Sequence, residues 1–143
     1  DLGNAASPIS ERRDEMARRL AAIAAVRIYG KTLDIKPPAF KEVSKEGNAI
    51  RVTFKNADGL DAAGDAPQGF CISGADGKFL VANARIEGAT VIVSHPDIAD
   101  PVAVRYAFSN NPKGNLFNRN GLPAQPFRTD TWKNYEVTMP VEE

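Results

Sequence analysis

Pro101–Trp132, PVAVRYAFSNNPKGNLFNRNGLPAQPFRTDTW, starts as a strand and runs on as a long loop. Val102, Val104, Tyr106 and Phe108 alternate with Ala103, Arg105, Ala107 and Ser109. That period of two predicts a half-buried strand with the larger apolar set facing inward. Ser109-Asn110-Asn111-Pro112 and Lys113-Gly114-Asn115 are turn chemistry and end it. Roughly twenty residues then follow without a period, longer than most connections in a compact domain. Pro123 and Pro126 cannot donate to a sheet ladder, and Gly121 can take positive φ. Leu116, Phe117, Leu122, Phe127 and Trp132 make the segment too apolar for a free linker, so they are read as anchors. Two roles stay open at this point. The loop is either a packed structural element or a binding loop for a ring-shaped ligand, with Trp132, Arg128 and the asparagines as its contacts.

Upstream, from Ala39 on, the pattern is also β. Phe40 and Val43 imply a strand, and Glu46-Gly47-Asn48 a turn. Ile50, Val52 and Phe54 alternate against Arg51, Thr53 and Lys55. Asn56–Gln68 reads as a loop, Gly69–Ser73 as a short strand, and Ala75-Asp76-Gly77 as a hairpin turn. Lys78–Ile86 reads as one strand with Leu80, Ala82, Ala84 and Ile86 on one face. Glu87-Gly88 turns into a strand at Thr90–Ser94, and Lys133–Met139 adds a last edge strand. Short strands at this spacing predict a mainly β fold, an antiparallel β-sandwich or jelly-roll-like domain.

One long helix precedes it. Ser7 and Pro8 are an N-cap and a first helical position, and Gly30 is placed to cap a helix reaching Tyr29. Asp14 with Arg18 and Glu15 with Arg19 are acid-first pairs four residues apart. Met16, Leu20, Ile23, Ala24 and Ile28 form a core-facing stripe, yet Ala22, Val26 and Tyr29 make the other side apolar too. A helix apolar all round is covered all round, so a partner or a further domain is expected on its second face. Pro37-Pro38 stops the helix. The expected division is therefore a helical piece over 1–30, a linker over 31–38 and a β domain over 39–143.

Eighteen basic and eighteen acidic residues cancel, which gives no electrostatic reason to expect nucleic acid or an anionic membrane as partner. No apolar run reaches the roughly 18 residues of a membrane-spanning helix. The one cysteine, Cys71, rules out an intrachain disulfide and a thiolate metal cluster, and its strand setting reads as a buried structural thiol. Asp1-Leu2-Gly3 is neither a signal peptide nor a start methionine and reads as a fragment boundary.

AVRYAFSNNPKGNLFNRNGLPAQPFRTDTW resembles the closing signature of the sialate O-acetylesterase family. Its members end with an arginine-tyrosine-aromatic strand, an asparagine-leucine-aromatic-asparagine turn, a Gly-Leu-Pro-Ala step and a Pro-Phe-Arg-Thr-Asp segment. The resemblance runs from Ala49 to Trp132 and is most specific over Asn115–Asp130. It implies the C-terminal portion of an SGNH-type carbohydrate esterase that removes acetyl groups from sugars. It also implies an upstream hydrolase domain of the same protein as partner, an acetylated carbohydrate as substrate, no cofactor, and a location outside the cytoplasm. Family members use a serine nucleophile near the start of the catalytic domain, glycine and asparagine oxyanion donors, and an Asp-x-x-His pair before the last helix. Such a pair is needed because a neutral hydroxyl attacks poorly until a base takes its proton. Here the pair falls at Ser7-Pro8-Ile9-Ser10, so both positions are serine and no catalytic residue is assigned.

The candidate substrate contacts are Arg105, Asn115, Asn118, Arg128, Asp130 and Trp132. Arginine and tryptophan suit sugars because each joins a flat face to a polar tip. The lone histidine, His95, precedes Pro96 at a strand end and reads as structural. His95 with Asp97 and Asp100, and Asp58 with Asp61 and Asp65, are better explained by turns than by a metal. The leading expectation is a non-catalytic portion of a carbohydrate esterase, and the alternative is a carbohydrate-binding or interaction β-sandwich module.

Overall fold

A computed structural model describes residues 13–32, 35–109, 112–133 and 136–138. The chain divides into two compact units, Asp1–Lys36 and Pro37–Glu143.

The first unit holds α1, Arg13–Arg27. Asp14 and Glu15 in its first turn and Arg27 in its last match the helix dipole. Glu15, rather than Asp14, collects the arginines: its carboxylate lies 3.0 Å from Arg19 Nε and 4.0 Å from Arg18 Nη1. The helix stops two residues short of Tyr29. Gly30 then takes φ 62°, and the Lys31 N–H donates to the Ala25 carbonyl at 2.9 Å. The expected start at Ser7-Pro8 lies outside the described residues, as do Ser7 and Ser10. No residue of α1 is buried, and Met16, Leu20, Ile23 and Ile28 of the expected stripe are exposed. The described residues of this unit supply no second element to cover them.

The second unit is a β-sandwich. Its strands are β1 (Ala39–Glu46), β2 (Ala49–Lys55), β3 (Phe70–Ser73), β4 (Lys78–Val81), β5 (Asn83–Glu87), β6 (Thr90–Ser94), β7 (Ala103–Tyr106), β8 (Phe127–Arg128) and β9 (Glu136–Thr138). One sheet has the order β1-β2-β6-β5 and is antiparallel throughout. The other has the order β8-β7-β3-β4-β9, antiparallel except for β9, which runs parallel to β4.

The alternating residues of the two sheets share one core. Ile50, Val52, Phe54, Val91 and Val93 face Phe70, Ile72, Val104 and Tyr106. Phe127 joins them, stacking on Phe40 at 4.8 Å and meeting Phe54 edge-on at 5.8 Å and Phe70 at 6.4 Å. Each such side chain contributes about 1.5–3 kcal/mol by leaving water.

Two expectations change. Lys78–Ile86 is not one strand. Its alternation is continuous, and Leu80, Ala82, Ala84 and Ile86 all pack on the core, but the segment crosses from one sheet to the other. Leu80 pairs with Ile72, whereas Ala84 pairs with Val93. Ala82 is the corner, its N–H donating to the Phe70 carbonyl at 2.9 Å. The strand read from Val102 to Phe108 is also shorter. Val102 is 51% exposed and Phe108 42% exposed, while Ala103 and Arg105, read as outward, are buried. The cause at the far end is Ala107, whose φ of 48° breaks the pleat.

Candidate functional site

Inward Phe70 and Ile72 turn Cys71 and Ser73 to the outer face of the second sheet, and inward Val104 and Tyr106 do the same for Ala103 and Arg105. Cross-strand pairing sets Arg105 between Arg128 on β8 and Cys71 on β3, and sets Cys71 opposite Val81 on β4. The outer face of a two-layer sandwich is normally solvated. Here Ser73, Phe79, Ala103 and Arg105 are nearly inaccessible on it.

The segment after β8 covers them. Asp130 returns over the sheet and takes both nitrogens of the Arg105 fork, Nε at 2.8 Å and Nη2 at 2.7 Å. Arg128 Nη2 donates to the same carboxylate at 2.9 Å, and the Trp132 N–H at 3.2 Å. Only 3% of the Arg105 side chain and 1% of the Asp130 side chain reach solvent. The bond from Arg105 holds the Asp130 carboxyl below the usual carboxylate range, and burial opposes it less strongly. Four donors stabilise the charged form of this carboxylate, so it stays ionised near neutral pH and is a weak base. Arg128 is fixed in turn, donating from Nε to the Asp130 carbonyl and from Nη2 to the Trp132 carbonyl, each at 2.8 Å. The Arg105 guanidinium lies 4.0 Å from the Phe79 ring centre, and both guanidiniums lie 5.4 Å from that of Phe108. Trp132 packs on Phe79 at 5.9 Å and against Gly77.

Of the six residues expected as contacts, Arg105, Arg128, Asp130 and Trp132 thus come together. Asn115 and Asn118 do not join them. Asn115 Oδ1 accepts the Gln68 N–H at 2.7 Å, and its Nδ2 donates to the Ala62 and Ala66 carbonyls. Asn118 Oδ1 accepts from Asn120 and Leu122, and its Nδ2 donates to the Asn56 carbonyl. Both asparagines lock the loop. Gly121, φ 69°, donates to the Asn118 carbonyl and closes the turn from Asn118 to Gly121. Leu116 is fully buried, with its N–H on Tyr106 Oη at 3.1 Å. A Cβ on Gly114 would come within 2.7 Å of that same oxygen. Phe108 also lies beside the Arg105 and Arg128 guanidiniums, which the sequence did not suggest. Its period placed it inward, and only the kink at Ala107 turns it to the outer face.

His95 Nδ1 accepts the Asp97 N–H at 3.1 Å, which commits the ring to its own turn. Near it a shallow depression of about 310 Å³ is lined by Asp76, Lys78, Leu80, Asp97, Ile98 and Asp100, among others. Its carboxylates are engaged locally: Asp100 pairs with Lys45, and Asp76 caps the Lys78 N–H. Asp61 likewise caps Ala63. Among the described residues no three acids, histidines or cysteines converge on a common point. Burial pushes the Cys71 thiol up, and nearby Arg105 opposes this in part.

No family model and no curated protein matches this chain. A solved structure does. Over 92% of its length the chain superposes on a carbohydrate acetylesterase from Xanthomonas citri, with a TM-score of 0.84 and 43% sequence identity. It spans 31% of that protein's chain, so the similarity covers nearly all of this sequence and about a third of the other.

Proposed function

We propose that this chain is the C-terminal, non-catalytic portion of a carbohydrate O-acetylesterase of the SGNH, sialate O-acetylesterase kind. In this reading the nucleophile and its base reside in an upstream hydrolase domain of the same protein, and the substrate is an acetylated carbohydrate. The observation that carries the reading is 43% identity across 92% of the chain to a carbohydrate acetylesterase of which it spans 31%. The chemistry of the described residues supports it. Ester hydrolysis needs a nucleophile, a base within reach and oxyanion donors. The lone histidine is held by its turn, and the buried Asp130 carboxylate accepts from four donors.

A chromogenic acetyl ester tests this, with the chain assayed beside the complete gene product. Hydrolysis by the complete product alone, abolished by replacing its nucleophilic serine, is the expected result. Hydrolysis by this chain would overturn the non-catalytic assignment. Silence in both, with glycan binding retained, would favour a binding module.

A further inference from the structure

The two edges of the first sheet differ in what they can pair with. β1 and β5 are its outer strands, and among the described residues no strand lies beyond either. Along β1 the charges guard the edge. Its stretch Lys41-Glu42-Val43-Ser44-Lys45-Glu46, paired antiparallel with its own copy about Val43, sets Lys41 opposite Lys45. Paired about Ser44, it sets Glu42 opposite Glu46. The register shift between Phe40 and Glu42 breaks the ladder further.

The β5 edge is built the other way. Gly88-Ala89 joins β5 to β6 as a two-residue hairpin, with Gly88 at φ 62° and Glu87 in register with Thr90. The pair that flanks such a turn exchanges both of its backbone hydrogen bonds. Glu87, Arg85 and Asn83 therefore spend their N–H and C=O groups on β6, and Ile86 and Ala84 turn theirs to the open edge. Side chains alternate too. Ala84 and Ile86 pack on the core, so Arg85 and Glu87 stand on the outer face. These two side chains are 66% and 40% exposed. A Cβ on Gly88, at the end of the strand, would meet nothing within 4 Å.

An antiparallel copy laid along this edge has one register that satisfies backbone and charge together. A two-fold axis sets one residue opposite its own equivalent, and residues on either side of it opposite each other. With the axis at Ile86, the two Ile86 residues exchange two backbone bonds. Arg85 then faces the partner's Glu87 in a non-hydrogen-bonded pair, where Cα atoms come within about 4.5 Å. With the axis at Arg85 two arginines oppose each other, and with the axis at Ala84 each arginine meets an asparagine. Arg85 and Glu87 already attract along one strand, 2.8 Å apart at Nη2 and Oε1. In the paired edge they form half of a cluster in which two arginines and two glutamates alternate. Arg51, with Nη2 3.0 Å from Glu87, supports it from within the sheet.

We infer that β5 is a dimerisation edge, and that two copies of this chain join their first sheets, Ile86 beside Ile86, into one eight-stranded sheet. The ladder is short and its ion pairs are exposed, so the dimer is weak and reversible. The inference stands apart from the esterase reading and needs no ligand.

Sedimentation velocity of the chain over a concentration series up to about 1 mM tests it. A reversible monomer–dimer equilibrium is expected. Arg85→Glu and Glu87→Arg each place like charges opposite one another, and each weakens self-association about tenfold or more. Mixed in equal amounts, the two variants associate with each other, and a chain carrying both substitutions recovers the dimer. Lys41→Glu, on the opposite edge, leaves the equilibrium unchanged. Melting curves check that every variant is folded. A chain that stays monomeric throughout, self-association that both single variants leave intact, or single variants that do not complement each other would overturn the inference.

Discussion

The two sheets carry mirror versions of one electrostatic motif. On the outer face of the first sheet, Arg51 sits between two acids, with Nε 2.5 Å from Glu46 and Nη2 3.0 Å from Glu87. On the outer face of the second, Asp130 sits between two arginines at 2.7 and 2.9 Å. The bond lengths are alike and the surroundings are not. Arg51 and its partners are open to water, which solvates each of them nearly as well apart as together. Arg105 and Asp130 have lost their water, so each depends on the other. Hydrogen-bond geometry alone does not rank these clusters. Solvation does.

The largest expected effect is at Asp130. Asp130→Asn leaves the Arg105 charge buried against a neutral partner and should destabilise the second unit by about 3–5 kcal/mol in urea unfolding. Replacing the pair together, Arg105→Met with Asp130→Leu, should recover most of that loss. A double variant as unstable as the single one would mean that the pair does more than compensate its own burial. The same contribution should vanish in acid. The folded carboxyl lies below its unfolded value of about 3.9. Its stabilisation is therefore complete above that value and is lost as pH falls through the folded one. Asp130→Asn should flatten the fall of stability below pH 4, and a parallel curve would separate the buried pair from acid unfolding. An intermediate effect belongs to the loop. Tyr106→Phe strands the Leu116 N–H away from water and should cost about 1–3 kcal/mol. The smallest is on the first sheet. Arg51→Met should leave the melting temperature within experimental error at physiological salt, where exposed charges are screened. A large drop there would break the contrast between the sheets.

Much of this was legible in the chain. Alternation at Ile50-Val52-Phe54 and Val91-Val93, with turns at Gly47, Gly77 and Gly88, specifies strands and their inward faces, because side-chain direction in a strand has period two whatever lies around it. Gly30 marked the end of the helix for a reason equally local, its freedom to adopt φ 62°. Arg105, Arg128, Asp130 and Trp132 were named as contacts, but spacing did not single them out, since Asn115 and Asn118 lie nearer to Arg105 along the chain. The asparagines were not separable from them by composition, since an amide that locks a loop and one that meets a ligand are the same residue.

Sequence by itself determined a β-sandwich behind a helix, because burial of alternating apolar residues needs only that the two faces differ. Tertiary structure alone decided three things. It split Lys78–Ile86 between the sheets, since one continuous alternation can serve either. It turned Phe108 outward, since a single positive φ at Ala107 cancels the pleat without changing a side chain. It also made Asp130 a buried anchor rather than an open acid, since the donors that surround it come from β7, β8 and the chain beyond, and distance along the sequence does not report which charges will share the loss of water.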